Sequence, residues 1–394
     1  MSFLYNIGVY FYVAIIRISA LFNTKAKLWI KGRKNILNII KEKTKNKNNI
    51  VWVHCSSLGE FKQGKPIIIS YKKKYPKHKI LLTFFSSSGL EYSEASQITD
   101  WVFYLPSDTK KNAKKFVMNI KPIKVIFIKY DFWFNYISEI KKQNIPIYFV
   151  SCVFRKDQLF FKYNWFSKQL KNISYFFVQD KKSKNLLTKI GITNCLISGD
   201  TRFDNVILEA EKKVSLPLIK KFSQEKKIIV CGSIWKKDLS ILKQLIKNNN
   251  NYKYIIAPHE LNNIKTFKKE LNGLLLSNAN KNNITKYTVL IIDNIGILSQ
   301  TYKFGNIAYI GGGFGNGIHN ILEPAIFGNA IIFGPNHYKS NEALELINLN
   351  AAKSIVNYLE LKNAVLYFKE FNTKISTNYI QSKSGATKKV ITHI

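Results

Sequence analysis

Short apolar runs alternate with polar, lysine-rich segments of helical length along most of the chain. The first set of runs is rich in β-branched and aromatic residues and lies at 50–54, 79–85, 101–105, 123–129, 145–150 and 174–179. Each run is continuous rather than alternating, which is typical of strands buried on both faces. Such strands separated by helical segments predict a parallel α/β sheet.

The same pattern begins again after a charged, proline-bearing stretch at 209–227. The second set of runs lies at 228–232, 253–257, 287–293, 306–311 and 330–333. Two such sets predict two doubly wound, Rossmann-like domains that face a cleft, and 394 residues are enough to give each a core. We expect the domains at 25–208 and 228–394, joined by a linker at 209–227. Ligands in such sheets bind at the carboxyl ends of the strands.

The N-terminus carries an apolar run at residues 3–22 that is about long enough to span a membrane. It contains Asn6 and Arg17, and no A-x-A cleavage site follows, which argues against a secretory signal. Basic residues directly after it would keep the rest of the chain in the cytoplasm. We expect 1–24 to form an anchor helix that spans the membrane or lies in its interface, with Arg17 snorkelling. The alternative is an amphipathic helix that covers the first domain.

The chain is strongly basic, with a formal net charge of +37. A field of this size attracts nucleic acid or anionic membrane lipid. The lysines are scattered in short groups and form no single stripe. Lys, Asn, Ile, Phe and Tyr all have A/T-rich codons, so mutational drift also explains this composition. We expect an anionic membrane surface as a partner and no nucleic acid.

The four cysteines, Cys55, Cys152, Cys195 and Cys231, lie far apart, without CxxC spacing, and mostly in apolar runs. This arrangement is typical of buried thiols in a reducing compartment. It predicts neither a disulfide framework nor a metal site.

A glycine-rich segment, "YIGGGFGNGIHNILEPAIFGNAIIFGP", follows a predicted strand at Tyr309 and extends to Pro335. Its first glycines can bring bare backbone close to a ligand, and Asn320 stands where it would cap a short helix carrying Glu323. A helix N-terminus attracts phosphate, and Glu323 can accept hydrogen bonds from ribose hydroxyls. The spacing matches neither GxGxxG nor GxxxxGK[ST], which argues against a dehydrogenase or an NTPase. The segment predicts a nucleotide site, with a set of simple turns as the alternative.

Five segments resemble those of the 3-deoxy-D-manno-octulosonic acid (Kdo) transferases, which attach Kdo to lipid A precursors. They are "WVHCSSLGEFKQGKP", "IKYDFWFNYI", "GDTRFDNV", "APHE" and "GIHNILEPAIFG". They occur in the family's order, and the resemblance extends to about residue 345. It implies a GT-B architecture and a metal-independent, cofactor-free, inverting transfer from CMP-Kdo to a lipid A precursor such as lipid IVA. It also implies a location at the cytoplasmic face of the inner membrane.

The resemblance also implies the catalytic residues. Inverting transfer needs a base that takes the proton of the acceptor hydroxyl, and Glu60 matches the glutamate proposed for that role in the family. As an alternative, Glu60 stabilises the first turn of its own helix. Arg202 is the candidate cation for the phosphate of the leaving CMP. Asp131 occupies the place of a family glutamate thought to stabilise the transition state, and a buried structural role is its alternative.

The positions that resemble the CMP site of the family lie in three groups. They are Pro258 and His259, then Ile295, Gly296 and Ile297, then Asn320, Ile321, Leu322 and Glu323. Two of them depart from the family pattern. His259 stands where many members have Arg, although an imidazole can still donate a hydrogen bond. Ile297 replaces a common Glu, so only backbone contacts are expected there.

Two other functions remain open at this point. One is a GT-B glycosyltransferase that uses a different nucleotide sugar. The other is a basic protein without enzymatic activity that binds membrane or RNA. Turnover with CMP-Kdo but not with UDP- or GDP-sugars separates the first from Kdo transfer, and salt-sensitive RNA binding would indicate the second.

Overall fold

The chain divides into two compact units in the computed structural model, which describes residues 2–86 and 93–394. Unit 1 comprises Met1–Asn205 and Ser384–Ile394, and unit 2 comprises Val206–Lys383. Each unit is built around one parallel sheet. The predicted fold class, with two Rossmann-like sheets, is confirmed.

The sheet of unit 1 contains seven parallel strands in the order β3-β2-β1-β4-β5-β6-β7. These strands are β1 (Ile50–Cys55), β2 (Lys79–Phe84), β3 (Trp101–Tyr104), β4 (Lys124–Ile128), β5 (Ile147–Cys152), β6 (Tyr175–Val178) and β7 (Cys195–Ile197). The helices up to the unit boundary are α1 (Ser2–Ser19), α2 (Thr24–Lys31), α3 (Ile36–Thr44), α4 (Leu58–Lys74), α5 (Ser93–Ile98), α6 (Lys110–Ile120), α7 (Phe134–Lys142), α8 (Asn164–Leu170), α9 (Lys181–Lys189) and α10 (Thr201–Ala210).

The continuous apolar character of β1 reflects burial on both faces of this sheet. Trp52 packs with Phe127 and Tyr136 in the core on one face, while Val51 and Val53 belong to the core on the other. Every residue of β1 is buried. Alternate side chains of a strand point to opposite faces, so a strand between two helical layers must be apolar throughout.

The sheet of unit 2 also contains seven parallel strands, in the order β10-β11-β9-β8-β12-β13-β14. These strands are β8 (Lys227–Ile234), β9 (Tyr252–Pro258), β10 (Leu274–Leu275), β11 (Val289–Ile291), β12 (Ile307–Ile310), β13 (Ala330–Phe333) and β14 (Ala352–Ser354). The remaining helices are α11 (Pro217–Phe222), α12 (Lys236–Asn248), α13 (Ile264–Leu271), α14 (Leu298–Thr301), α15 (Leu322–Ile326), α16 (Asn341–Asn348), α17 (Tyr358–Tyr367), α18 (Lys374–Lys383) and α19 (Ala386–His393).

Two stretches differ from the domain organisation expected from the sequence. The expected linker at 209–227 contains α11, whose Ile219 and Phe222 are buried in unit 2. The last helix, α19, was expected in the second domain with the rest of 228–394, but it lies in unit 1. Val390 of α19 belongs to a core cluster of unit 1, and burial of such a side chain contributes roughly 1.5–3 kcal/mol.

A carboxylate from another part of unit 1 caps the first turn of α19. Asp204 accepts hydrogen bonds from the backbone N–H groups of Gly385 and Thr387, both at 2.6 Å. A carboxylate at a helix N-terminus satisfies unpaired N–H groups and interacts favourably with the helix dipole. The sequence "GDTRFDNV" thus supplies a structural contact to the C-terminus as well as candidate chemistry.

The N-terminal helix α1 has one face on unit 1 and one face exposed. Tyr5 donates a hydrogen bond to Asp108, and Asn6 accepts one from Asn135 at 3.1 Å. The large apolar and aromatic side chains of the other face are exposed; they include Phe3, Leu4, Ile7, Tyr10, Phe11, Ile15 and Ile18. Among the described residues, α1 is the one helix long and apolar enough to cross a membrane.

Candidate active site

Each sheet has a switch point, where the chain crosses from one side of its first strand to the other. In unit 1 the chain runs from β1 through β2 to β3 and then returns to β4 on the opposite side of β1. In unit 2 the corresponding neighbours are β8 and β12. Loops that follow such strands diverge and leave a crevice at the carboxyl ends, where ligands bind in this class of sheet.

Two carboxyl groups lie side by side at the switch point of unit 1. Glu60 is in the first turn of α4, shortly after β1, and Asp131 follows β4. Burial, and then the neighbouring Asp131, raise the pKa of Glu60 to about 7. Burial also raises the pKa of Asp131, although hydrogen bonds with Ser56 and Glu60 oppose the rise. Because two adjacent carboxylates repel each other, the pair holds a proton that separate carboxyls would lose.

A cation adjoins this pair at the end of β4. The positive charge of Lys129 lowers the pKa of both Glu60 and Asp131, against the larger effect of burial. Lys129 has a φ of 65°, in the left-handed region that a lysine rarely adopts. The backbone N–H of Lys129 donates to the Val150 carbonyl at 2.7 Å, which holds the backbone in this turn. Strained backbone of this kind is often found at functional sites.

Glu60 also has the structural role that was considered as the alternative to catalysis. The backbone N–H of Ser57 donates to Glu60 Oε2 at 2.9 Å, so the carboxylate caps its own helix. The cap and the contact with Asp131 occur together. The hydrogen bond restricts the Glu60 side chain to a conformation beside Asp131.

Behind the two carboxyls lies a chain of buried hydrogen bonds centred on His54. Its Nδ1 pairs with Thr83 Oγ1 at 2.8 Å, and its Nε2 lies 3.0 Å from Ser56 Oγ. The indole N–H of Trp133 also donates to Nε2 at 3.0 Å. Burial lowers the pKa of His54 to about 3, so the ring is neutral. It holds Ser56, a partner of Asp131, and has its own hydrogen bonds satisfied locally.

The predicted leaving-group cation, Arg202, is in contact with an acid. Its Nε donates to Asp200 Oδ2 at 2.7 Å, and its backbone N–H donates to Asp200 Oδ1 at 2.9 Å. The guanidinium lies at the start of α10, which follows β7 at the far edge of the sheet from β3. Asp200 fixes the guanidinium in position and offsets part of its charge.

At the switch point of unit 2, three aromatic rings form a stack. Trp235 follows β8, His259 follows β9, and His319 lies in the loop after β12. The His259 ring centroid is 4.2 Å from Trp235 and 4.4 Å from His319, with interplanar angles of 22° and 28°. His259 therefore occupies the edge of the sheet where the sequence placed nucleotide contacts. The backbone N–H of His259 donates to the Ile234 carbonyl at 2.9 Å.

The indole of Trp235 fixes the tautomer of His319. The Trp235 Nε1–H donates to His319 Nε2 at 2.9 Å. An indole N–H can only donate, so Nε2 must be unprotonated and the proton of the neutral ring is on Nδ1. Burial, and then the neighbouring His259, lower the pKa of His319 to about 4, so the ring is neutral near pH 7. His319 thus presents one N–H donor.

The other predicted nucleotide contacts lie along the same edge of this sheet. Asn320 Oδ1 accepts from the Leu322 N–H at 3.1 Å, and Asn320 Nδ2 donates to Glu323 Oε1 at 3.0 Å. Asn320 thus orients Glu323, although the residue at the cap position of α15 is Ile321. Ile321, Leu322 and Pro258 are buried. The turn before α14 has Ile295 exposed and Gly296 at a φ of 99°, with Ile297 at the cap position.

Two glycines of the segment are required by neighbouring backbone. A Cβ on Gly311 would lie 2.2 Å from the Ser233 carbonyl oxygen, and one on Gly313 would lie 2.5 Å from the Gly334 nitrogen. The close approach is between segments of the chain itself. These glycines were expected to approach a ligand, and in the structure they pack against neighbouring backbone.

All four cysteines are unpaired and buried, as predicted. Across the residues that the structure describes, no group of three or more His, Cys, Asp or Glu is arranged to hold a metal ion.

Comparison with known proteins shows what the chain is similar to. The family model described as 3-deoxy-D-manno-octulosonic-acid transferase (kdotransferase) matches residues 31–205. The chain is 29% identical to the 3-deoxy-D-manno-octulosonic acid transferase of Aquifex aeolicus over 319 residues, which cover 79% of this chain and 83% of the relative. It is 26% identical to that of Rickettsia felis, with 84% of this chain and 78% of the relative covered. The chain is thus similar to the Kdo transferases over most of its length, and it is a glycosyltransferase.

Solved structures show the same fold at low sequence identity. The UDP-GlcNAc 2-epimerase of Neisseria meningitidis bound to UDP-GlcNAc is 16% identical, with a TM-score of 0.60 over 87% of this chain and 98% of that one. MurG from Acinetobacter baumannii is 11% identical, with a TM-score of 0.52 over 88% and 98%. The fold is GT-B-like.

Three residues at these switch points were absent from the sequence-based site. Lys129 directly precedes "YD" at the end of a strand, but its left-handed φ cannot be read from a single sequence. His319 belongs to the glycine-rich segment that was singled out, and Trp235 follows the predicted strand at 228–232, but their contact joins residues 84 positions apart. A polar aromatic residue shortly after a predicted strand is the signal that could have found Trp235.

Replacement of Trp235 by Phe tests whether the indole fixes the ring of His319. Phe keeps an aromatic ring but removes the N–H that holds Nε2 unprotonated, so protonation of His319 becomes easier. Loss of a hydrogen bond of about 1 kcal/mol corresponds to a rise of somewhat less than one pKa unit. We expect NMR titration of His319 to show that rise, with both tautomers populated. Trp165→Phe in unit 1 is the matched control, and an unchanged His319 titration in Trp235→Phe would contradict the assignment.

Proposed function

We propose that this enzyme transfers Kdo from CMP-Kdo to a lipid A precursor, lipid IVA or a close analogue, with inversion at the anomeric carbon. Similarity to the Kdo transferases supports Kdo as the sugar. The observation that carries the mechanism is the carboxyl pair of Glu60 and Asp131 at the switch point of unit 1, with the pKa of Glu60 raised to about 7.

In the proposed step, Glu60 is the general base. It takes the proton from the acceptor hydroxyl while that oxygen forms a bond to the anomeric carbon, and the bond from this carbon to the phosphate oxygen breaks. A base is most effective when its pKa is near the working pH, because it is then both ionised and strongly basic. A carboxyl at its ordinary pKa of about 4.3 would be ionised but a weaker base.

Asp131 is proposed to have two roles: it raises the pKa of Glu60, and it helps to stabilise the transition state. Its negative charge raises the pKa of Glu60, and its buried Oδ2 has no hydrogen-bond partner in the described part of the chain. An unsatisfied buried oxygen is costly unless a bound group supplies a donor. The sugar of the donor or the acceptor carries hydroxyl groups that fit this requirement.

The CMP leaving group is proposed to bind at the switch point of unit 2. Glu323, oriented by Asn320, accepts from the ribose hydroxyls, and the His259 ring and the Nδ1–H of His319 face the polar part of the nucleotide. Arg202 stabilises the negative charge that CMP gains as it leaves. With His259 in place of the more common Arg, the phosphate receives a hydrogen bond there rather than a permanent charge.

The enzyme is proposed to work at the cytoplasmic face of the inner membrane, with α1 in the membrane interface. Tyr5 and Asn6 fasten one face of α1 to unit 1, and the exposed aromatic face opposite is suited to the boundary between headgroups and acyl chains. An anionic lipid surface would attract the basic chain and place the enzyme beside its lipid acceptor.

The function is tested by incubating the full-length protein with CMP-Kdo and a tetra-acylated lipid A precursor and measuring the mass of the product. We expect addition of Kdo with release of CMP. UDP- and GDP-sugars serve as competing donors, and transfer from one of them in the absence of turnover with CMP-Kdo would favour another GT-B glycosyltransferase.

A further inference from the structure

A basic pocket of about 660 Å³ lies in unit 1, and neither Glu60 nor Asp131 lines it. Its walls come from α1, α2, the start of α3 and α6. Six of its lining residues are cationic: Arg17, Lys31, Arg33, Lys34, Lys41 and Lys115. The described lining contains no aspartate or glutamate. None of the six cations has an ion pair with a carboxylate in the described part of the chain.

The guanidinium of Arg33 is the most confined of these charges. It donates to the carbonyls of Leu105, Trp29 and Phe85 at 2.7–3.1 Å, and it lies 3.8 Å from the centroid of the Trp29 ring. Burial lowers the pKa of Arg33 to about 9, which still leaves it charged at neutral pH. A half-buried charge held only by carbonyls and rings lacks the counter-ion that such groups usually have.

The N-terminus of α3 opens onto the same pocket, which is lined by Asn35, Ile36, Leu37 and Asn38. Asn35 occupies the cap position, but its side chain accepts no hydrogen bond from the helix backbone; its Oδ1 accepts from the Asn38 side chain at 2.7 Å. The partial positive charge of a helix N-terminus attracts anions, phosphate in particular. The terminus therefore adds to the field of the six cations.

We propose that this pocket binds the phosphate of an anionic lipid headgroup at the membrane surface. Val13 and Arg17 place the pocket beside α1, whose opposite face exposes apolar side chains such as Phe11 and Ile15. A phosphate in the pocket would then be at headgroup depth when those side chains enter the interface. The choice of a lipid rests on the proposed attachment of α1, whereas the phosphate chemistry rests on the pocket alone. This site is additional to the transfer reaction.

The test compares vesicle binding of the full-length protein and two charge-matched double variants. Lys34→Gln with Lys115→Gln removes two exposed lysines of the pocket. Lys171→Gln with Lys182→Gln removes two exposed lysines of unit 1 outside it. Arg33 is left unchanged because its three carbonyl contacts are structural. The probes are phosphatidylcholine vesicles that contain phosphatidic acid, and vesicles that contain oleate at the same surface potential.

We expect the pocket variant to lose about tenfold or more in affinity for the phosphatidic acid vesicles, while the control variant stays close to the unmodified protein. We also expect the unmodified protein to prefer phosphatidic acid to oleate, and the pocket variant to lose that preference. Equal losses in both variants, or equal binding to both vesicles, would overturn the site in favour of a diffuse basic surface.

Titration with inorganic phosphate separates a lipid from a soluble ligand. Binding of inorganic phosphate that the pocket variant loses, without any preference between the vesicles, would overturn the lipid assignment. None of these measurements needs CMP-Kdo or turnover, so failure of the lipid site and failure of the proposed transfer reaction give separate results.

Discussion

Glu60→Gln is expected to lower kcat for Kdo transfer by about 10³-fold, because a neutral amide cannot take the proton of the acceptor hydroxyl. Gln still offers an oxygen to the Ser57 N–H, so the helix cap is retained. Binding of CMP, measured by calorimetry, should stay close to that of the unmodified enzyme. The exposed Glu42→Gln in α3 is the matched control, and its activity should not change.

The stability of the same variant shows whether lost activity reflects lost chemistry. The folded-state pKa of Glu60 lies above its ordinary value, so the folded enzyme holds a proton that the unfolded chain releases. The stability of the unmodified enzyme should therefore fall as the pH rises from about 4.5 to about 7, by up to about 3 kcal/mol. Glu60→Gln lacks this fall, so its Tm at pH 8 should equal or exceed that of the unmodified enzyme. Full activity in a stable variant would contradict the role of base.

The sequence predicted the central strands of both sheets and missed the short ones at the edges. The strands that the pattern did not reveal are β7, β10 and β14, of two or three residues each. All three lie at the edge of a sheet. An edge strand is covered on fewer sides, so its residues need not form a continuous apolar run. The prediction succeeded where burial on both faces constrains every residue.

The division between the units was harder to predict because it depends on contacts between distant residues. No local pattern indicates that "GATKKVITHI" at the C-terminus packs against α4 and is capped by Asp204. Similarly, the charged stretch before β8 was expected to be a linker, yet Ile219 and Phe222 are buried. The composition of a stretch predicts only the average exposure of its residues. A short helix can still pack against a core when two apolar residues lie on one of its faces.

The candidate site was predictable where topology alone determines it. The carboxyl ends of β1 and β4 must be adjacent once the chain returns past its first strand, so Glu60 and Asp131 come together. The hydrogen bond between Trp235 and His319 and the left-handed turn at Lys129 depend on side-chain geometry. These side-chain and backbone geometries determine the protonation states of the site, and they cannot be predicted from a single sequence.

Asp131→Asn is expected to shift the pH dependence of transfer and to lower its rate. Activity should rise with pH through about 7 in the unmodified enzyme, as the Glu60 carboxyl ionises. Without the neighbouring negative charge, burial alone raises the pKa of Glu60, so the midpoint should move to lower pH by roughly one unit. The weaker base and the lost contact with the substrate should together lower the plateau of kcat by about 10²-fold.

Asp131→Glu is the matched variant, since it keeps the charge and restores the residue type expected at this position in the family. Its midpoint should remain near that of the unmodified enzyme even if its rate changes, because the charge beside Glu60 is still present. The comparison separates electrostatics from geometry. If Asp131→Asn kept the midpoint of the unmodified enzyme, the two carboxyls would not share a proton, and the raised pKa of Glu60 would have to come from burial alone.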